Sequence, residues 1–133
     1  QHMTNVRQAK VDAIAESIPL IETYGDSSGS LLLVSWGGTF GSVRSAVVHA
    51  RANNLSVSHI HIRHINPFPK NLGEVLLKFE NVLIPELNAG QLSIILRNKY
   101  LVDSVGLNKV EGKPFTTEEI YNKILEIIGT NNA

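Results

Sequence analysis

The chain has 133 residues, 43% of them apolar, a length that buries one good core and so predicts a single compact domain. Twelve Lys and Arg balance twelve Asp and Glu, and no long basic run exists, which argues against a nucleic-acid partner. There is no cysteine, which excludes a disulfide framework, a cysteine-ligated zinc or iron–sulfur cluster and a cysteine nucleophile, and which fits a cytoplasmic protein. No apolar stretch reaches membrane-spanning length and no N-terminal signal pattern appears, so no membrane association is expected.

The chain begins at Gln1 rather than methionine, which reads as a piece of something longer. Residues 1–18 predict a weakly amphipathic helix, with Val11, Ile14 and Ile18 on one stripe, ended by Pro19. Leu20–Tyr24 suits a short extended segment, and Gly25–Ser30 a flexible polar loop, so residues 1–30 are read as helix and linker and 31–133 as the domain.

Leu31–Val34 is a continuous apolar run, which suits a strand covered on both faces. Gly37, Gly38 and Gly41 punctuate the next stretch, and Val43, Ala46, Val47 and Ala50 then recur at helical spacing behind Thr39 as the expected N-cap. Leu55–Ile65 predicts a second strand, with Ile60 and Ile62 on one face and His59, His61 and Arg63 on the other. Asn66-Pro67-Phe68-Pro69 predicts a rigid turn, Asn71 with Glu74 a capping box, and Leu72, Val75, Leu76 and Phe79 a helical stripe. Three more elements come next: a strand at Val82–Ile84, a helix carrying Leu92, Ile95 and Leu96 and ending near Lys99, and a strand at Leu101–Val105. After a loop with Gly112 and Pro114 as breakers, Thr116 and Glu119 form a capping box for a last helix with Ile120, Ile124 and Ile128 inward and Gly129 at its end. The alternation predicts an α/β three-layer sandwich with a mostly parallel sheet.

In such a fold ligands bind outside the carboxyl ends of the strands, which singles out the loops Trp36–Gly41, Asn66–Lys70 and Glu86–Gln91. Backbone N–H groups of Gly37, Gly38, Thr39 and Gly41 suit a phosphate at a helix start; the alternative is that the glycines only permit a tight turn and close helix–sheet packing. The spacing matches neither the dinucleotide nor the P-loop pattern, and the absence of Gly-Lys-Ser/Thr excludes a P-loop hydrolase. Arg63 and His64 stand where a dinucleotide fold places an acid; a phosphorylated ribose would suit them, but a solvated strand end explains them more simply. His59, His61 and His64 read as a partly exposed or interface strand face rather than metal ligands, because His64 alternates to the opposite face and no carboxylate is near in sequence. Glu86 is read as anchoring its loop by accepting backbone N–H bonds, in preference to acting as a base. Trp36 is a core or interface aromatic, and no catalytic set is assigned.

At the same loops the chain resembles a known family. Ser35-Trp-Gly-Gly-Thr-Phe-Gly41, Asn66-Pro-Phe-Pro69, Ile84-Pro-Glu-Leu-Asn-Ala-Gly-Gln-Leu92 and Val105-Gly-Leu-Asn-Lys109 are similar, in order over about Leu31–Ile128, to the C-terminal domain of the alpha subunit of 2-oxoacid:ferredoxin oxidoreductases, in the 2-oxoglutarate branch. Residues Thr4–Ile18 resemble the segment that precedes that domain. The family more usually carries Gly-Ser-Thr where Gly38-Thr39 stand, so contacts of that hydroxyl are not carried over. The resemblance implies a transketolase C-terminal-like fold within a complex that oxidatively decarboxylates a 2-oxoacid to an acyl-CoA. The resemblance also implies that ferredoxin or flavodoxin takes the electrons, that coenzyme A is co-substrate, and that thiamine diphosphate, Mg and an iron–sulfur cluster are held mostly by other domains and the beta subunit. The piece itself is then expected to hold no cofactor, to be inactive alone, and to serve assembly with the remaining alpha-subunit domains and the beta subunit, with a homodimer of the piece possible. Asn66, Pro67, Pro69, Glu86, Asn88, Gly90 and Gln91 are the expected structural or interface loop residues. A second reading is a module for a phosphate of coenzyme A or a nucleotide, using Gly37–Gly41 with Arg44, Arg63 and Lys109.

Overall fold

A computed structural model describes residues 17–65, 67–87, 90–109 and 113–129. The helix expected over 1–18 (apart from its last two residues), the turn residue Asn66, the loop residue Asn88 and the breaker Gly112 lie outside them.

Four strands, β1 (Gly29–Trp36), β2 (Val57–Ile62), β3 (Phe79–Glu86) and β4 (Val105–Asn108), form one sheet in the order β2-β1-β3-β4, every pair parallel. The crossovers carry the helices α1 (Phe40–Ala52), α2 (Leu72–Leu76) and α3 (Gln91–Tyr100), and α4 (Thr117–Ile124) comes after β4. β1 is central, which is why its apolar run is continuous: Leu31, Leu32, Leu33 and Val34 are all fully buried. Each such side chain stabilises the fold by about 1.5–3 kcal/mol. Leu31 and Leu33 face a core with Val43, Ala46, Val47 and Ala50 of α1 and Ile120, Ile124 and Ile128 behind them. Leu32 and Val34 face the opposite core with Leu72, Leu76, Leu92 and Leu96. The expected three-layer sandwich with a parallel sheet is thus the observed fold.

Several local expectations are corrected. The strand at 55–65 is shorter, Val57–Ile62. Phe79 continues the helical spacing of Leu72, Val75 and Leu76, yet α2 stops at Leu76 and Phe79 opens β3, pairing with Gly29 of β1. Sheet pairing overrides the local period there. Leu101 begins no strand: it ends α3 in the left-handed region (φ 56°), and β4 starts only at Val105, with Gly106 inside it. Asn71 precedes α2 without capping it. Its amide instead pairs with Ile21, Oδ1 accepting from the backbone N–H at 2.8 Å and Nδ2 donating to the carbonyl at 3.1 Å. Thr39 precedes α1, but its hydroxyl turns back to the Trp36 carbonyl, 3.0 Å, across a 3-10 turn over Gly37–Thr39. Gly129 lies within a π-helical turn, Leu125–Gly129, that extends α4. The Thr116 box stands as expected: Thr116 Oγ1 accepts from the Glu119 N–H and the Glu119 carboxylate from the Thr116 N–H, both at 3.1 Å.

Residues 21–26 pack on the domain rather than hanging from it. Tyr24 forms an antiparallel bridge with His59 on the outer edge of β2, and Ser58 Oγ donates to the Asp26 carbonyl at 2.9 Å while accepting the Asp26 N–H at 3.0 Å. This contact partly covers the edge strand.

Candidate functional site

Alternation puts Ser35 on the α1 face of β1 with Leu31 and Leu33, and puts His59 and His61 on the same face of β2 with Val57. Parallel register sets Ser35 opposite His61 and Leu33 opposite His59. The Ser35 hydroxyl consequently sits between two imidazoles, 2.7 Å from His59 Nε2 and 2.7 Å from His61 Nδ1. On the far side of His59, Arg44 Nε donates to Nδ1 at 2.9 Å. Arginine cannot accept, so His59 Nδ1 is the bare nitrogen and Nε2 carries the proton. Ser35 accepts that proton's bond and donates its own to His61 Nδ1, which leaves His61 Nε2–H as the free end of the chain.

His59 is fully buried, not on a partly exposed face as the alternation suggested. Burial, then the Arg44 charge, then His61 lower its pKa to about 3, so it is neutral near pH 7. The His61 imidazole is shifted the same way, by burial first and then by Arg63 and Arg44. Arg44 packs against two rings: its guanidinium carbon lies 4.1 Å from the centroid of the Tyr24 ring and 4.9 Å from that of Phe40. Phe40 also rests on both histidines, its centroid 5.4 Å from His59 and 5.0 Å from His61.

Outside this buried chain a cleft of about 500 Å³ opens at the carboxyl ends of β1 and β2. Phe40 and Arg44 of α1 line it with His61, Arg63 and His64 from the end of β2, together with Pro19–Glu22 and Pro69. His64 lies past the end of β2, so strand alternation no longer sends it to the opposite face.

The other predicted residues go elsewhere. Glu86 is fully buried and accepts three hydrogen bonds: from the backbone N–H of Leu92 (2.7 Å) and Ser93 (3.2 Å) and from the Ser93 hydroxyl (3.1 Å). It anchors the start of α3 from the end of β3, as the anchoring reading expected. Gly90 stands before Gln91 with φ 81°, where a side chain would be strained. Lys109 lies just past the far edge strand and pairs with Glu119 at 2.8 Å, so it does not join Arg44 and Arg63. Gly37 needs glycine for its φ of 60°, but a Cβ at Gly37, Gly38 or Gly41 would meet no atom within 4 Å. Close helix–sheet packing therefore does not explain this loop, and an open strip of backbone does describe it. Pro67 and Pro69 are buried. Trp36 is half-buried against the core on the α2–α3 side.

Ser35, Phe40 and Tyr24 were not among the predicted residues. For two of them a signal exists: Ser35 is the polar end of an apolar run on the face that the histidines share, and Phe40 precedes Arg44 by one helical turn.

No family model matches the chain. Comparison with known proteins gives 44% identity over 119 residues, 89% of this chain, to the 2-oxoglutarate oxidoreductase subunit KorA of Mycobacterium tuberculosis. The chain is a homologue of the alpha subunits of 2-oxoacid:ferredoxin oxidoreductases. It is also 31% identical over 93% of its length to the alpha subunit of 2-oxoacid:ferredoxin oxidoreductase 2 of Aeropyrum pernix. It spans 18% and 20% of these two relatives, about a fifth of their length. A solved structure of 2-oxoglutarate:ferredoxin oxidoreductase from Magnetococcus marinus, with 2-oxoglutarate, coenzyme A and succinyl-CoA bound, superposes with a TM-score of 0.88 at 27% identity, covering 95% of this chain and 23% of that one. A split-gene transketolase superposes at 0.58 and 15% identity over 75% of this chain and 38% of its own, a likeness of fold alone. The expected transketolase-like architecture is thereby met.

Proposed function

We propose that this chain is the C-terminal domain of the alpha subunit of a 2-oxoglutarate:ferredoxin or flavodoxin oxidoreductase, whose whole assembly oxidatively decarboxylates the 2-oxoacid to an acyl-CoA. The observation that carries this reading is the 44% identity over 119 residues to the mycobacterial 2-oxoglutarate oxidoreductase subunit. The domain's own part is assembly and packing around the active sites rather than chemistry. Its polar groups at the carboxyl edge support that division, because they are used up inside the domain: buried Ser35 between two histidines, buried Glu86 on α3, and half-buried Lys109 on Glu119. Leu77, Ile94 and Leu101 are exposed, 73%, 58% and 88%, and are apolar side chains that neighbouring domains would cover in this reading.

The chain has no cysteine, and among the described residues no three His, Cys, Asp or Glu side chains converge on a metal position. In this reading the iron–sulfur cluster and the magnesium of thiamine diphosphate would be held by the remaining alpha-subunit domains and the beta subunit. The working location of this assembly would be the cytoplasm; among the described residues no helix is long and apolar enough to cross a membrane.

The test is to supply the isolated chain with 2-oxoglutarate, coenzyme A, thiamine diphosphate, magnesium and oxidised ferredoxin, then to repeat the assay after coexpression with the remaining alpha-subunit segment and the beta subunit. Succinyl-CoA should form only in the second case, with the chain co-eluting in the complex. Turnover by the isolated chain would overturn the reading, as would a complex fully active without it. Sedimentation of the isolated chain checks whether it pairs with itself.

A further inference from the structure

The cleft at the ends of β1 and β2 combines cations and N–H donors with apolar surface in its lining. Arg44 is fixed by its two aromatic neighbours and by the bond from Nε to His59. That bond and that stacking leave Nη1 and Nη2 without an acceptor among the described residues, although Arg44 lines the cleft. A guanidinium held in place with its two terminal nitrogens open is a fork for two oxygens of one anion. His61 adds a neighbouring donor, because its Nδ1 is occupied by Ser35 and only Nε2–H remains to face outward. Arg63 and His64 are exposed in the same lining, and the Arg63 guanidinium adds a charge that is not tied into the fold. Among the described residues Glu22 is the one carboxylate lining the cleft, and the two arginines outweigh it.

Pro19–Ile21 and Pro69 bring apolar area to the lining, and Phe40, 37% exposed, packs against the Arg44 guanidinium. A volume of about 500 Å³ is that of a small-molecule site rather than of a flat protein interface. We propose that this cleft binds a small organic phosphate with an aromatic or apolar body, its phosphate on Arg44, His61 and Arg63 and its body against Phe40 and the Pro19–Ile21 wall. The proposal goes beyond the assembly role and does not depend on it. It also differs in place from a phosphate cradle of glycine N–H groups: the oxygens are received by side chains of α1 and β2.

The test uses the chain as it stands, with AMP as the probe and ribose 5-phosphate and inorganic phosphate beside it. Binding is followed by calorimetry and by NMR of the Arg44 Nε–H and the His61 ring nitrogens. AMP is expected to bind at sub-millimolar concentration and to move both sets of signals. Arg63→Gln changes an exposed side chain and should leave the fold intact while weakening AMP at least fivefold. Arg44→Lys keeps a charge but loses the fork, and should weaken it more than tenfold. Lys109→Gln, at the far edge of the sheet, should change it less than twofold. No binding up to 10 mM AMP, binding that Arg63→Gln and Arg44→Lys both leave unchanged, or inorganic phosphate binding as tightly as AMP would each overturn the proposal.

Discussion

Acidification from pH 7 to 5 should remove about 2 kcal/mol of stability through His59 alone. In the unfolded chain this imidazole takes up a proton near its ordinary value of 6.5, whereas in the fold it stays neutral down to about pH 3. Between those values the unfolded state binds the extra proton, so stability rises with pH and falls on acidification, levelling off only near pH 3. At pH 5 the gap to 6.5 is 1.5 pH units, and at about 1.36 kcal/mol per unit this gives about 2 kcal/mol. Around His59 stand Arg44 from α1, Ser35 from β1, His61 from its own strand, the Phe40 ring and the Tyr24 backbone; burial first, then the Arg44 charge, then His61 disfavour a proton on it. His61 titrates with the same sign, so it adds to the slope rather than cancelling it. The assay is urea unfolding at pH 7, 6 and 5 for the wild-type chain and His59→Gln, whose amide can still accept from Arg44 and donate to Ser35. The variant should be less stable at pH 7 yet lose about 2 kcal/mol less between pH 7 and 5. Ring 15N shifts read the same group directly and should hold His59 in its Nε2–H form throughout that range. A wild-type His59 that titrates near 6.5, or a variant with the full wild-type pH slope, would refute the reasoning.

Glu86→Ala should cost about 3 kcal/mol in chemical unfolding, because a buried carboxylate that satisfies two backbone N–H groups and a hydroxyl is lost; Glu86→Gln, which keeps one acceptor oxygen, should cost about half that. Gly73→Ala should destabilise by about 1 kcal/mol despite the better helix propensity of alanine, since the new Cβ would lie 2.6 Å from the Tyr100 ring. The penalty should vanish in the background of Tyr100→Ala, which a double-mutant cycle checks. Leu101→Gly should raise the melting temperature of the isolated chain by relieving a left-handed, 88% exposed leucine, worth about 1 kcal/mol. If the leucine serves the assembly, the same change should weaken co-elution with the remaining subunits.

The elements legible in the sequence are those whose own residues decide them. Leu31–Val34 reads as a central strand because no solvent-facing position interrupts it, and all four are buried. The stripes of α1 and α4 show in the spacing, and Thr116 with Glu119 makes the capping box that their types and separation require. Legibility fails where a distant partner decides. Phe79 fits the α2 stripe by count, but Gly29 of β1 claims it. Asn71 has the chemistry of a cap, yet the Ile21 backbone takes both ends of its amide. The histidine face could be derived from alternation; its burial could not, because Tyr24 crossing the edge of β2 and Arg44 reaching across from α1 are contacts between segments far apart in sequence.

The polar residues at the carboxyl edge fall into two groups, and the split bears on what the domain does. Ser35, His59, Glu86 and Lys109 are spent: each has its partners inside the domain, and each imposes geometry on a neighbouring element. The terminal nitrogens of Arg44, the Arg63 guanidinium and the outer nitrogen of His61 are not spent, and they share one cleft. A site for proton transfer would need the buried groups to reach a substrate and to titrate near neutral pH. Here the fully buried imidazole is held neutral far below that range, and its two nitrogens are already bonded. Such a chain fixes positions rather than moving protons. Through His59 it fixes Arg44, and through Ser35 it fixes His61, the two donors at the mouth of the cleft. The buried polarity therefore serves recognition at the surface, and removing Ser35 should loosen His61 before it unfolds anything: Ser35→Ala is expected to keep a cooperative transition while the His61 ring signals broaden or shift.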